Sequence, residues 1–175
     1  ADIERIRAEL GIGRMIVFGG SWGATLAVVH AITHPGAVAR LVLRGVFLMT
    51  RAELDWFYRG GAGAFFPELW EHFLAPLPEE ERGDPVAAYH RRLFSGVAIE
   101  EMRAARAWTA WENALASIHS AGTAGAGDGP GDHARAFARL ENHYFVNAGF
   151  LPGDGWILAN RHRIAHIPAD IVQGR

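Results

Sequence analysis

The sequence predicts an α/β fold, a parallel sheet with flanking helices, carrying an inserted all-helical block. Residues 14–19 and 40–47 are apolar, β-prone runs, separated by a segment with helical period at 22–33. About 100 residues then follow with helical patterning and no convincing strand. A third short apolar run occupies 168–173. Two strands, a helical insert and a returning strand give a core at 1–50 and 155–175, with a helical cap at 51–154.

Taken in order, Ile3, Ile6 and Leu10 fall at helical spacing after Asp2, a possible N-cap, and Gly11 or Gly13 stops that helix. The run 14–19 is continuous rather than alternating, which suits a parallel strand covered on both faces. The helix over 22–33 ends at His34-Pro35, because the residue before proline disfavours helical geometry. With the strand at 40–47 this makes a β–α–β unit, right-handed in nearly all proteins. Helical stretches follow at 51–59, 67–74, 84–94, 99–119 and 132–148, divided by turns at Pro76, Pro78 and Pro85. Residues 121–131 read as a Gly/Ala-rich loop. Residues 156–166 resume helix, and 168–173 read as a third buried strand.

Composition narrows the function classes. The 175 residues are 50% hydrophobic and 21% charged, with net charge −2 from 17 basic and 19 acidic side chains. This balance offers no electrostatic footprint for nucleic acid or an anionic membrane. There is no cysteine, so neither a disulfide framework nor a thiolate metal site is available. No apolar run approaches the length of a bilayer span, and the charged start Asp2-Ile3-Glu4-Arg5 is not a signal-peptide core.

The sharpest motif is Gly19-x-Ser21-x-Gly23, with a strand predicted before it and a helix after it. That context is the nucleophile elbow, a sharp turn that displays a serine hydroxyl at the carboxyl end of a strand. Small residues on both sides allow the backbones to approach. The N–H of Trp22, at the start of the helix, is placed to donate to a developing oxyanion. The alternative is a plain Gly-rich turn whose serine caps the helix.

Beyond the elbow, the blocks GGSWGATLA, THP, LVLRGVF, WFYRGGAGAFFPELWEHF, WTAWENALA, ENHYFVNAGF and HRIAHIPADIVQGR resemble the proline iminopeptidases. These are serine peptidases with the α/β-hydrolase fold and an inserted helical cap. The resemblance runs through nearly the whole sequence, including the helical insert. It implies that Ser21 is the nucleophile and that Trp22 supplies one oxyanion N–H. It also implies that Glu112 and Glu141 receive the free imino group of an N-terminal proline, with Arg44 as a basic residue nearby. Phe47, Phe57 and Phe145 fall where the family places aromatics around the proline ring. The implied partner is a peptide with N-terminal proline, no cofactor or metal is required, and the implied compartment is the cytoplasm. The same resemblance places the oxyanion motif His-Gly-Gly before residue 1, and the catalytic Asp and His beyond Arg175. These residues alone are therefore expected to be nearly inactive.

Two carboxylates suit the implied substrate, whose terminal nitrogen is a secondary ammonium. A cation–carboxylate contact at about 4 Å is worth on the order of 4 kcal/mol before desolvation. Without substrate the two acids repel, and one tends to take up a proton. Read without the resemblance, Glu112 and Glu141 are ordinary exposed helix charges, and the many aromatics are the core of the insert. Of the nine histidines, His162 and His166 stand four apart but lack the glutamate of a zinc-peptidase motif, and they read as surface or core residues. Two other functions fit the residues: a capped esterase or amidase, and a non-catalytic binding module.

Overall fold

A computed structural model describes residues 2–116 and 131–174. The chain forms two units, one from residues 1–50 and 151–175, the other from residues 51–150.

The first unit is built on a three-stranded parallel sheet. Helix α1 (Asp2–Glu9) precedes strand β1 (Met15–Gly20), then come helix α2 (Trp22–Thr33) and strand β2 (Val38–Arg44). Late in the chain, α8 (Trp156–Ala159) and strand β3 (Ala169–Val172) complete it. The strand order is β1-β2-β3, with Phe18 opposite Val42 and Leu43 opposite Ile171. Helix α2 is apolar nearly all round, so it is held by burial rather than by an amphipathic stripe. Ala24, Ala27 and Ala31 let its backbone lie close to Leu41 and Leu43, with Val28, Ile32, Val38, Ile157 and Ile167 filling the same core. The Thr25 hydroxyl donates to the Phe47 carbonyl at 2.6 Å, so the buried oxygen is satisfied and β2's exit is tied to α2.

Three expectations need correcting here. Strand β2 spans Val38–Arg44 rather than 40–47, because Gly45 turns left-handed (φ 56°) and ends it. The expected helix over 156–166 is only the single turn of α8. Asn160 ends it with non-helical backbone (φ −100°, ψ 7°), its side chain and its N–H both donating to the Trp156 carbonyl at 2.8 Å and 3.1 Å, and the chain passes into a 3-10 turn at Arg161–Arg163. Finally, the strands are not covered on both faces. Val17 turns toward α2, while Ile16 and Phe18 turn away and are 66% and 74% exposed. Strand β3, bonded to β2 alone, is exposed along its whole length.

The second unit is helical: α3 (Arg51–Tyr58), α4 (Pro67–Leu74), α5 (Pro85–Leu93), α6 (Ala98–Ala116) and α7 (Gly131–Val146). The predicted Gly/Ala loop at 121–131 falls, but for Gly131, outside the described residues, as does the end of the helix predicted over 99–119. Helix α5 starts on Asp84, whose carboxylate accepts from the Ala87 N–H at 3.3 Å, with Pro85 at the first helical position. The core is aromatic. Tyr58 stacks on Trp108 at 4.8 Å and Phe73 on Tyr89 at 4.7 Å, with Trp111 and Phe145 against them. Their polar tips are satisfied: Tyr89 donates to the Phe73 carbonyl at 2.6 Å and Trp111 to the Phe57 carbonyl at 3.1 Å. Gly61 and Gly63 lie flat against the rings of Trp56 and Trp70, where a Cβ would come within 2.5 Å and 2.7 Å of ring carbons. The glycine run at 60–63 thus serves ring packing.

Candidate active site

The first unit holds the elbow. Strand β1 ends at Gly20 and α2 begins at Trp22, leaving Ser21 alone to make the turn. Its backbone is left-handed, φ 54° and ψ −123°, a conformation rare for a residue with a side chain. Two kinds of backbone bond hold it there. The Ser21 N–H donates to the Arg44 carbonyl at 2.9 Å, extending the β1–β2 ladder by one step. The Ser21 carbonyl accepts from Ala24 at 2.9 Å and Thr25 at 3.3 Å, starting the helix. The side chain makes no capping bond to α2 and Ser21 is exposed, so the plain N-cap reading of this serine does not hold.

The glycines on either side differ in role. A Cβ on Gly19 would lie 2.2 Å from the Gly23 carbonyl oxygen, so only glycine fits at position 19. A Cβ on Gly23 would meet nothing within 4 Å. The close approach expected of both residues is thus a demand on Gly19 alone; Gly23 contributes backbone. At Gly20 a Cβ would lie 3.1 Å from the Arg44 guanidinium, which places that side chain beside the turn. Trp22 is the first residue of α2, and Phe47 is buried just past the end of β2.

The second unit holds the two acids. Glu112 lies on α6 and Glu141 on α7. Each carboxylate accepts from the polar tip of a fully buried aromatic: Glu112 Oε1 from the Tyr58 hydroxyl, and Glu141 Oε2 from Trp108 Nε1 at 2.8 Å. These two donors belong to rings that stack on each other, so a rigid aromatic pair holds the acids together. Burial pushes both carboxyl groups above their ordinary range. For Glu141 the neighbouring charge of Glu112 adds to this, bringing it to about 8 against the pull of the Trp108 N–H. Tyr58 is in turn held firmly protonated by burial and by both acids. At neutral pH Glu141 therefore keeps its proton. Phe145 is buried against Tyr58 and Trp108, and Phe57 lies half-buried next to Tyr58.

Of the residues singled out from sequence, Ser21, Trp22 and Arg44 converge in the first unit, and Glu112, Glu141 and Phe145 converge in the second. Tyr58 and Trp108 stand among the aromatics that the sequence places in the insert without a role for their polar tips. The signal that finds them is chemical: a buried tyrosine or tryptophan needs a partner for its polar atom, and an acid on a facing helix can be that partner. Among the described residues, no helix is long and apolar enough to cross a membrane.

Comparison with known proteins gives a consistent result. Residues 1–173 match the family described as alpha/beta hydrolase fold. The chain is 49% identical over 175 residues to a protein of Xanthomonas citri named proline iminopeptidase, covering all of this chain and 56% of that protein. It is 47% identical to a probable proline iminopeptidase of Leptolyngbya boryana, covering all of this chain and 54% of that protein. Against the proline iminopeptidase of Arabidopsis thaliana, identity is 49% over 99% of this chain and 46% of that protein. The chain spans about half the length of the curated relatives it matches.

Proposed function

The chain belongs to the alpha/beta hydrolase fold family, and from that premise we propose that the whole protein is a serine exopeptidase releasing N-terminal proline from peptides. The observation that carries the hydrolase reading is the strained, exposed backbone of Ser21 at the strand–helix turn, with its hydroxyl unused by the helix. The choice of proline rests on the likeness to relatives named proline iminopeptidase and on the acid pair of Glu112 and Glu141.

In this scheme Ser21 Oγ attacks the prolyl carbonyl carbon and gives its proton to a histidine base. The Trp22 N–H donates to the oxyanion as the carbonyl double bond opens. The C–N bond then breaks, and the base returns the proton to the leaving amine. Water hydrolyses the prolyl ester by the same steps in reverse, releasing proline and restoring Ser21. Glu112 and Glu141 take up the imino nitrogen, the Glu141 proton leaving as the substrate cation enters. Arg44 belongs beside this subsite, and Phe47, Phe57 and Phe145 around the pyrrolidine ring. By the family resemblance, the triad Asp and His follow residue 175, so residues 1–175 alone turn over slowly. A cytoplasmic location belongs to the same reading and rests on the resemblance alone.

The test is hydrolysis of a proline anilide by the whole protein, with and without an acyl group on the proline nitrogen. Release from the free imino substrate only, lost on Glu112→Gln or Glu141→Gln, is expected. Equal turnover of the acylated substrate or of simple esters, unaffected by those changes, would replace the peptidase with a capped esterase or amidase. A protein inert to all of them would be a binding module.

A further inference from the structure

Glu4 on α1 and His30 and His34 on and after α2 converge at one place in the first unit. One carboxylate oxygen and one nitrogen from each ring lie within 4.8 Å of one another. His30 and His34 stand one helical turn apart, with ring centroids 5.2 Å apart. His30 is 5% exposed, and its Nε2 is shut off from water with no hydrogen-bond partner. The facing carboxylate oxygen, Glu4 Oε2, is 3.9 Å away, too far to bond. An orphaned buried imidazole nitrogen costs stability unless something fills the gap.

We propose that Glu4, His30 and His34 form a binding site for a divalent transition-metal ion of the zinc class, which clips α1 to the end of α2. Two imidazoles and one carboxylate are a common donor set for such an ion, with water in the fourth position. Tetrahedral bonds of about 2.1 Å put donors about 3.4 Å apart, so the three groups must draw in by on the order of 1 Å. Glu4 and the half-buried His34 have room to do so. Glu4 arrives oriented: Arg7 donates to its Oε2 at 2.9 Å and to its Oε1 at 2.5 Å. With the metal on Oε2, the Oε1 bond remains as the outer support that ligating carboxylates usually have.

The role of this site is structural. It sits at the opposite end of a 12-residue helix from Ser21, roughly 18 Å along the axis. Helix α1 has no buried residue, and its Ile6 and the Leu10 just after it are largely exposed, so few contacts hold it in place.

The test is zinc and cobalt titration of the full-length protein by calorimetry, with cobalt absorption and hydrogen exchange as further readouts. We expect one ion per chain, tetrahedral cobalt bands, and slowed exchange of the amides of residues 2–9 on zinc binding. Affinity should fall at least tenfold in His34→Gln and in Glu4→Gln. Both sites are partly exposed, so these variants fold where His30→Gln, at a buried position, can fail. Absence of saturable uptake, or uptake unchanged in both variants, would overturn the proposal by assigning the metal to other histidines. Hydrolase turnover should not change with zinc, so the fate of this site and that of the proposed activity are read separately.

Discussion

The Tyr58 hydroxyl donates its proton to Glu112, across 54 residues of sequence and from inside a stacked pair of rings. That bond favours the charged carboxylate, opposing the burial that favours the neutral one. Tyr58→Phe keeps the ring in the stack and removes only the donor. We expect it to cost about 1–2 kcal/mol of stability and to raise the Glu112 pKa further. Denaturant melts, with carboxyl titration by NMR, check both. An unshifted Glu112 would mean that the hydroxyl does not govern its charge.

The acid pair should make stability depend on pH in an unusual direction. In the folded protein Glu141 holds its proton to about pH 8, against an ordinary value of 4.5. Between these values the folded state binds a proton that the unfolded chain has released. Its contribution is therefore complete below pH 4.5 and is lost as pH rises through about 8. The melting temperature should decline across this window, and Glu141→Gln should flatten the decline. A native curve already flat from pH 5 to 8 would refute the raised pKa.

If the pair receives a substrate cation, binding must expel that proton. Calorimetry of the full-length protein with a proline amide, in buffers of different ionisation enthalpy near pH 7, should show release of up to one proton. Glu141→Gln should abolish the release. Identical heats in all buffers would count against a protonated Glu141.

The elbow makes opposite demands on fold and chemistry. Ser21 carries about 1–3 kcal/mol of backbone strain at φ 54°. Ser21→Gly should therefore raise stability by about 1 kcal/mol, while Ser21→Ala, which keeps a Cβ, should not. Both should cut turnover by about 10⁴-fold or more. Thermal melts beside anilide assays of the full-length protein decide this, and residual activity near wild type in either variant would remove Ser21 as nucleophile.

Gly19→Ala forces a Cβ to within 2.2 Å of a backbone oxygen and should destabilise by about 3 kcal/mol. Gly23→Ala enters open space in a helix and should be neutral or stabilising by up to about 1 kcal/mol. Chemical denaturation of the two variants separates them, and equal effects would contradict the geometry of the turn.

Much of this was legible in the residues, for reasons that vary by element. Helices α2 and α4 match their predicted bounds because His34-Pro35 stops one and Pro67 starts the other. Strand β1 was plain from its apolar run, but its one open face was not: a continuous run cannot say which neighbours are present. Helix α8 stops at Asn160, where the backbone leaves helical geometry (φ −100°, ψ 7°), a local turn that periodicity averages away. At the candidate site, the family motifs pointed to Ser21, Glu112 and Glu141. The Tyr58 and Trp108 donors are contacts between distant segments, which no single stretch of sequence contains. The same holds for Glu4, His30 and His34, which fold together from two helices.

The Ser21 N–H is anchored on the carbonyl of Arg44, a group that every amino acid possesses. Position 44 can therefore change its side chain while the turn keeps its shape, and if the guanidinium meets substrate as proposed, it is free to vary with ligand preference. A library of substitutions there should yield proteins that melt alike and differ only in what they accept.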